Sequence, residues 1–144
     1  MNERELMLVK SCWQTVAPNA IPLAMKFYDD LFEAKPEYRR LFSGDMNKQA
    51  EKLMMTLGFL MANVDRVDKI KDAIHKLGAL HVKFKVLPEY YPPVQKALVG
   101  AIAQFMDNQW SYEHEDAWNK LISAVGDMMI EGTTKKRFSW KFWS

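Results

Sequence analysis

The sequence predicts an all-α fold, and three observations predict it. Apolar residues recur at helical spacing along nearly the whole chain, strand-like alternation is almost absent, and prolines and glycines fall between the periodic segments. The 144 residues suit one domain with a single core, and 49% hydrophobic against 26% charged content is that of a folded chain and not a disordered one.

The first helix carries Leu6, Val9, Trp13 and Val16 on one face, and Pro18-Asn19 ends it, with Asn19 expected to cap the second. That second helix places Ile21, Met25, Tyr28, Leu31 and Phe32 together, and Tyr28 is the only polar tip in the stripe. Pro36 suits the first turn of a short helix through Leu41-Phe42, followed by a loop at Ser43-Gly44-Asp45. From about Met46 to Val64, Gln49, Leu53, Leu57 and Leu60 share a face, so an amide joins an apolar stripe. The next segment aligns Ile70, Ile74, Leu77, Leu80 and His81 and ends before Leu87-Pro88. Two long helices follow, about Pro92 to Trp110 and about His114 to Ile130, with Gly132 expected to stop the last.

The net charge of +2 is spread over both signs, which gives no case for nucleic acid as a partner. One cysteine, Cys12, cannot form an internal disulfide, and the opening MNERELMLVK is too charged for a signal peptide, so a cytoplasmic location is expected. No apolar run reaches the roughly 18 residues of a transmembrane segment.

Tyr28, Gln49 and His81 each have a plain explanation, a buried polar group satisfied by a backbone partner. His81 lacks a second histidine, cysteine or carboxylate at zinc-site spacing; His75 lies off its face and His114 falls in a polar turn. The Met-rich run Leu53-Met54-Met55 reads as core. A group that needs only one protein donor changes the weighing, because haem takes a single proximal histidine. Opposite such a histidine, hydrogen-bond donors that do not compete as ligands are wanted, and Tyr28 and Gln49 are of that kind. No nucleophile–base pair, phosphate loop or paired-carboxylate spacing stands out.

With Phe27-Tyr28, Pro36-Glu37, Leu41-Phe42, Gln49 with Leu53, His81 with Val86, Pro88 and Tyr91, and Asp116-Ala117-Trp118 in this order, the sequence resembles a globin. It is similar to the bacterial single-domain globins related to flavohaemoglobins, over about Glu3 to Ile130. The resemblance implies the globin fold, a three-over-three helical sandwich around haem b (iron protoporphyrin IX), in residues 1–132, leaving 133–144 as a basic-aromatic tail. It implies His81 as the iron ligand, Phe42 stacked on the porphyrin, Leu53 as the wall beside the gas, and Tyr28 with Gln49 as the distal pair. Leu77 and Val86 would touch the proximal face and Tyr91 and Val94 the buried edge. Lys52 would meet a haem propionate, or stand as an exposed helix lysine.

Reversible, high-affinity oxygen binding for storage or transport follows as the first functional expectation. Dioxygen on Fe(II) gains partial superoxide character, so two donors favour it over carbon monoxide, tightening binding roughly thirtyfold at about 1 kcal/mol each. His81 is expected to donate its other ring N–H to the Leu77 carbonyl one turn back. Flavohaemoglobins carry a reductase after the globin; with none in this sequence, a separate reductase is the expected electron source for the alternative, a nitric-oxide dioxygenase. Their glutamate on the last helix, partner of the tyrosine, aligns with Lys135, with Glu131 one turn earlier as a possible stand-in. A third reading is gas sensing through a partner, supported only by the tail Lys135-Lys136-Arg137-Phe138-Ser139-Trp140-Lys141-Phe142-Trp143. That tail reads as an end packed on the last helix or poorly ordered, a weak membrane contact, or a partner-binding segment.

Overall fold

The computed structural model describes the backbone of residues 1–143 and the side chains of residues 1–133. Six α-helices joined by short 3-10 turns are present, with no strand among the described residues. Helix α1 (Glu3–Val16) opens on a capping box: the Asn2 side chain accepts from the Glu5 N–H at 2.8 Å while Glu5 accepts from the Asn2 N–H at 2.9 Å. Val9, Cys12 and Val16, at helical spacing, bury its inner face.

Ala17–Asn19 form a 3-10 turn into α2 (Ala20–Ala34), and Asn19 occupies the cap position without making a capping hydrogen bond. The buried face of α2 is Leu23, Ala24, Phe27, Tyr28 and Leu31; Ile21 is 39% exposed, so the stripe sits further round the helix than the sequence pattern placed it. A 3-10 segment (Pro36–Leu41) and a turn through Gly44, at φ 85°, lead to α3 (Met46–Ala62), which Asp45 caps by accepting from the Asn47 N–H at 2.9 Å. Met54 is core but its neighbour Met55 is 75% exposed, so the methionine run straddles the surface.

After a third 3-10 stretch (Val64–Ile70) come α4 (Lys71–Lys83), a turn at Pro88–Tyr90, α5 (Tyr91–Met106) with prolines in its first turn, a turn at Asp107–Gln109, and α6 (Tyr112–Trp143). Helix α6 begins earlier than the sequence pattern suggested. The His114 N–H donates to Ser111 Oγ at 3.4 Å and the Ser111 N–H to His114 Nδ1 at 3.2 Å, so Ser111 caps the helix and His114 closes the cap from its first turn. Trp110 stacks on its ring at 5.5 Å.

Nor does α6 stop at Gly132. A Cβ there would lie 2.7 Å from His75 Cα, and one at Gly78 would collide with the Met129 carbonyl oxygen. Both glycines are therefore the points at which α4 and α6 touch backbone to backbone, and Gly132 serves packing, not termination. The tail side chains from 134 onward, on which the membrane and partner readings rest, lie outside the described residues.

Helix α2 packs on α3 and α5, α1 on α5 and α6, and α4 along α6, giving the expected helical sandwich. Trp118 is fully buried at its centre, with Cys12 likewise at 0% exposure. Burial pushes the Cys12 thiol up to about 11, the Trp118 indole drawing it partly back. No described helix is long and apolar enough to cross a membrane.

Candidate functional site

His81 sits in the last turn of α4, half-buried. Its Nδ1 lies 2.7 Å from the Leu77 carbonyl oxygen, the contact that helical i, i−4 geometry offers. Since a carbonyl only accepts, Nδ1 carries the proton and Nε2 keeps its lone pair, which makes no hydrogen bond among the described residues.

The helix end immediately beyond is fastened. Lys85 adopts φ 65°, its N–H donates to the Val82 carbonyl at 2.9 Å, and the Val86 N–H donates to the His81 carbonyl at 2.8 Å. This is a Schellman cap with lysine in the left-handed position that glycine usually fills. The cap ties Val86 directly to the backbone of the histidine.

Tyr91 begins α5 with its ring 6.1 Å from the His81 ring. Gly126 of α6 lies against it, a Cβ there falling 3.3 Å from Tyr91 Cδ2, and the Tyr91 hydroxyl donates to Met129 Sδ at 3.9 Å. Burial raises the Tyr91 phenol above its ordinary range. Glu131 pairs with Lys71 Nζ at 3.6 Å on the outer surface. The recorded partner of the Tyr91 hydroxyl is thus a thioether and not the carboxylate weighed as a stand-in; the Lys135 side chain lies outside the described residues.

On the other side Tyr28 is 5% exposed and donates a long hydrogen bond, 3.4 Å, to the backbone carbonyl of Gln49. The fold therefore brings α2 and α3 together at these two residues. Burial pushes the Tyr28 phenol up to about 12, so it is un-ionised and a donor at neutral pH. Phe27, Phe32 and Phe42 surround its ring at 4.8, 5.9 and 5.3 Å, with Phe42 edge-on.

Arg39 was not singled out in the sequence, yet it organises this group. Its guanidinium donates to the Phe42 carbonyl at 2.6 Å and lies 5.7 Å from the centre of the Phe32 ring, which itself contacts Phe42 at 5.6 Å. The sequence carries no signal for it, because the bond runs to a backbone carbonyl at the end of the 3-10 segment.

Phe42, Leu53 and Val94 pack on the buried core, whereas Leu77 and Val86 are half-buried outside it. Lys52 is exposed and has no carboxylate partner among the described residues. No three metal-ligating side chains converge among the described residues, so a metal at His81 needs donors from elsewhere. A porphyrin fits that donor set, with one free imidazole nitrogen and flanking half-buried apolar residues on α3, α4 and α5.

The globin family model matches residues 25–129. Anaerobic nitrite reductase HBII of Casuarina glauca is 30% identical over 142 residues, covering 85% of this chain and 88% of that protein. The flavohemoprotein of Deinococcus radiodurans is 29% identical over 126 residues, covering 85% of this chain and 31% of its own length. The chain thus spans about a third of the flavohemoproteins that it matches. Among solved structures, a bacterial globin from Campylobacter jejuni superposes with a TM-score of 0.82 at 21% identity, covering 94% of this chain and 99% of that one. An engineered carbene transferase from Rhodothermus marinus gives 0.83 at 20% identity, covering 100% and 99%.

Proposed function

Because the chain belongs to the globin family, we propose that it binds haem b through His81 and works on diatomic gases as a nitric-oxide dioxygenase supplied with electrons by a separate reductase. The observation that supports the reading is the buried, un-ionised Tyr28 hydroxyl, which a hydrogen bond to the Gln49 backbone carbonyl brings from α2 up to α3.

Haem b, when bound, would supply a redox-active iron that holds the gas and provides the one electron that dioxygen and NO need to form nitrate. The residues of this chain do the rest. The Leu77 carbonyl holds the proton on Nδ1 of His81, which leaves Nε2 as the nitrogen that would ligate the metal and raises its basicity. With haem bound, the Tyr28 O–H would leave its long bond to the Gln49 carbonyl and donate to negative charge on the gas, and burial keeps that proton in place across the neutral range. Gln49 donates without titrating and without competing as a ligand. Leu53, Leu77, Val86 and Val94 would exclude water from a bound haem, Phe42 would cover it, Tyr91 would close its inner edge, and Lys52 would meet a propionate.

The similarities support nitrogen-oxide chemistry over storage alone. Flavohemoproteins and plant anaerobic nitrite reductases are among the relatives, and the Rhodothermus structure is described as a candidate nitric oxide dioxygenase. Reversible oxygen binding is the second reading, favoured by the same two donors, which slow gas release. Stopped-flow mixing of the oxygenated, haem-loaded protein with NO separates the two. Stoichiometric nitrate, with repeated turnover once a flavin reductase and NADH are present, is expected; oxidation by NO without turnover under any reductant sinks the enzyme and leaves the oxygen carrier.

A further inference from the structure

Between Ala73 and Pro88 the chain carries three lysines, Lys76, Lys83 and Lys85, and no carboxylate. All three are exposed, and none has a carboxylate partner among the described residues, although Lys71 on the same helix is paired with Glu131. Amid them stand large apolar side chains in solvent: Leu80 at 48%, Phe84 at 64% and Leu87 at 45% exposure. Leu80 lies four residues after Lys76, and Lys83 and Phe84 lie three and four after Leu80, so these four share one stripe of α4 and its C-cap, with Leu87 following beyond the capped end. Leu80 immediately precedes His81, so the stripe lies ~100° round the helix from the histidine. The opposite side of α4, at Gly78 and His75, is closed against α6 and cannot serve as a landing face.

From this stripe we propose that α4 carries the docking surface for an acidic, one-electron donor protein that reduces the iron. The inference rests on the haem-binding reading above and adds the partner's charge and its landing place. Electron transfer calls for a brief encounter at a small interface, for which an apolar centre rimmed by one sign of charge is suited: the charges steer approach and the apolar side chains shed water on contact. Because the segment 73–88 itself carries lysines and no carboxylate, with Asp72 and Glu89 only at its two ends, the fitting partner is anionic, and a cationic one is disfavoured by like-charge juxtaposition. In the step itself one electron leaves the donor, which is oxidised, and arrives at Fe(III), which is reduced to Fe(II); no bond forms or breaks.

The test uses the haem-loaded full chain in its ferric form, mixed anaerobically with fully reduced flavodoxin, a small acidic flavin protein, and followed by absorbance. The second-order rate of the native protein is expected to fall about tenfold between about 20 and about 200 mM salt. The double variant K76E/K83E is expected to be about tenfold slower at low salt and to lose most of that dependence, and F84S to be slower with the dependence kept. Free reduced lumiflavin, too small to need a docking face, should reduce all three proteins alike. A native rate indifferent to salt, or charge-reversed protein reduced as fast as native, overturns the proposal. So does F84S abolishing a dimer seen in sedimentation, or abolishing binding to phosphatidylserine vesicles, since the stripe is then spoken for. Failure to take up haem, or reduction without nitrate formation from oxygen and NO, instead refutes the proposed function and is seen independently of flavodoxin.

Discussion

Gly78→Ala is expected to destabilise the protein, although alanine is the better helix former. In an open helix the exchange gains about 1 kcal/mol. Gly100, in α5, is such a place, with nothing within 4 Å of an added Cβ, so Gly100→Ala should stabilise by about 0.5–1 kcal/mol. At Gly78 the new methyl would meet the Met129 carbonyl oxygen, carbonyl carbon and Cα of α6, all backbone atoms that cannot rotate aside. Overpacking of this kind costs about 1–3 kcal/mol, and an obstruction made of backbone belongs at the upper end, leaving a net loss of about 2 kcal/mol. For a chain of this size about 1 kcal/mol moves the melting temperature by roughly 3 °C. Thermal unfolding of the two apo variants should therefore show Gly100→Ala about 2–3 °C above native and Gly78→Ala about 6 °C below. Gly78 lies three residues before His81, so the same variant should take up haem more weakly. Equal stability of Gly78→Ala and Gly100→Ala would refute the close approach of α4 and α6.

Tyr28→Phe, removing one donor of about 1 kcal/mol, should speed oxygen release roughly fivefold with carbon monoxide release little changed, measured by laser photolysis or ligand replacement. The native phenol, raised to about 12 against an ordinary value near 10, stays protonated in the folded chain after it ionises in the unfolded one. Folded protein therefore binds more protons between about pH 10 and 12, stability falls as pH rises through that window, and denaturation midpoints of Tyr28→Phe should fall less steeply there. Arg39→Met, which leaves the Phe42 carbonyl and Phe32 ring without their cation, should release haem to an apoglobin acceptor about fivefold faster, and an unchanged rate would remove Arg39 from the site. The Cys12 thiol, buried and raised to about 11, should resist a thiol reagent at pH 8 in the native protein and react at once in denaturant.

Helical periodicity made the order of the helices readable, and the spacing of Tyr28, Gln49 and His81 pointed to a site between them. It served less well wherever a face was decided by neighbours. Ile21 fits the apolar pattern of α2 but is exposed, because the helix buries Leu23 and Ala24 instead. Gly132 reads as a helix stop because glycine usually ends helices by its backbone freedom; here its missing side chain matters, and only the position of His75 reveals that. His114 read as solvent-facing for want of knowing that Ser111 starts the helix beneath it. Arg39 was not legible, because its target is a backbone carbonyl, which no residue-type pattern records.

The bond from Val86 to the His81 carbonyl has a mechanical meaning. A helix whose last turn is free absorbs a pull on a side chain by fraying, and the disturbance dies within a residue or two. Here the turn that bears the histidine is latched at its end, so a displacement of His81 carries α4 as a rod. The first place where that rod meets resistance is its glycine contact with α6, which works as a fulcrum.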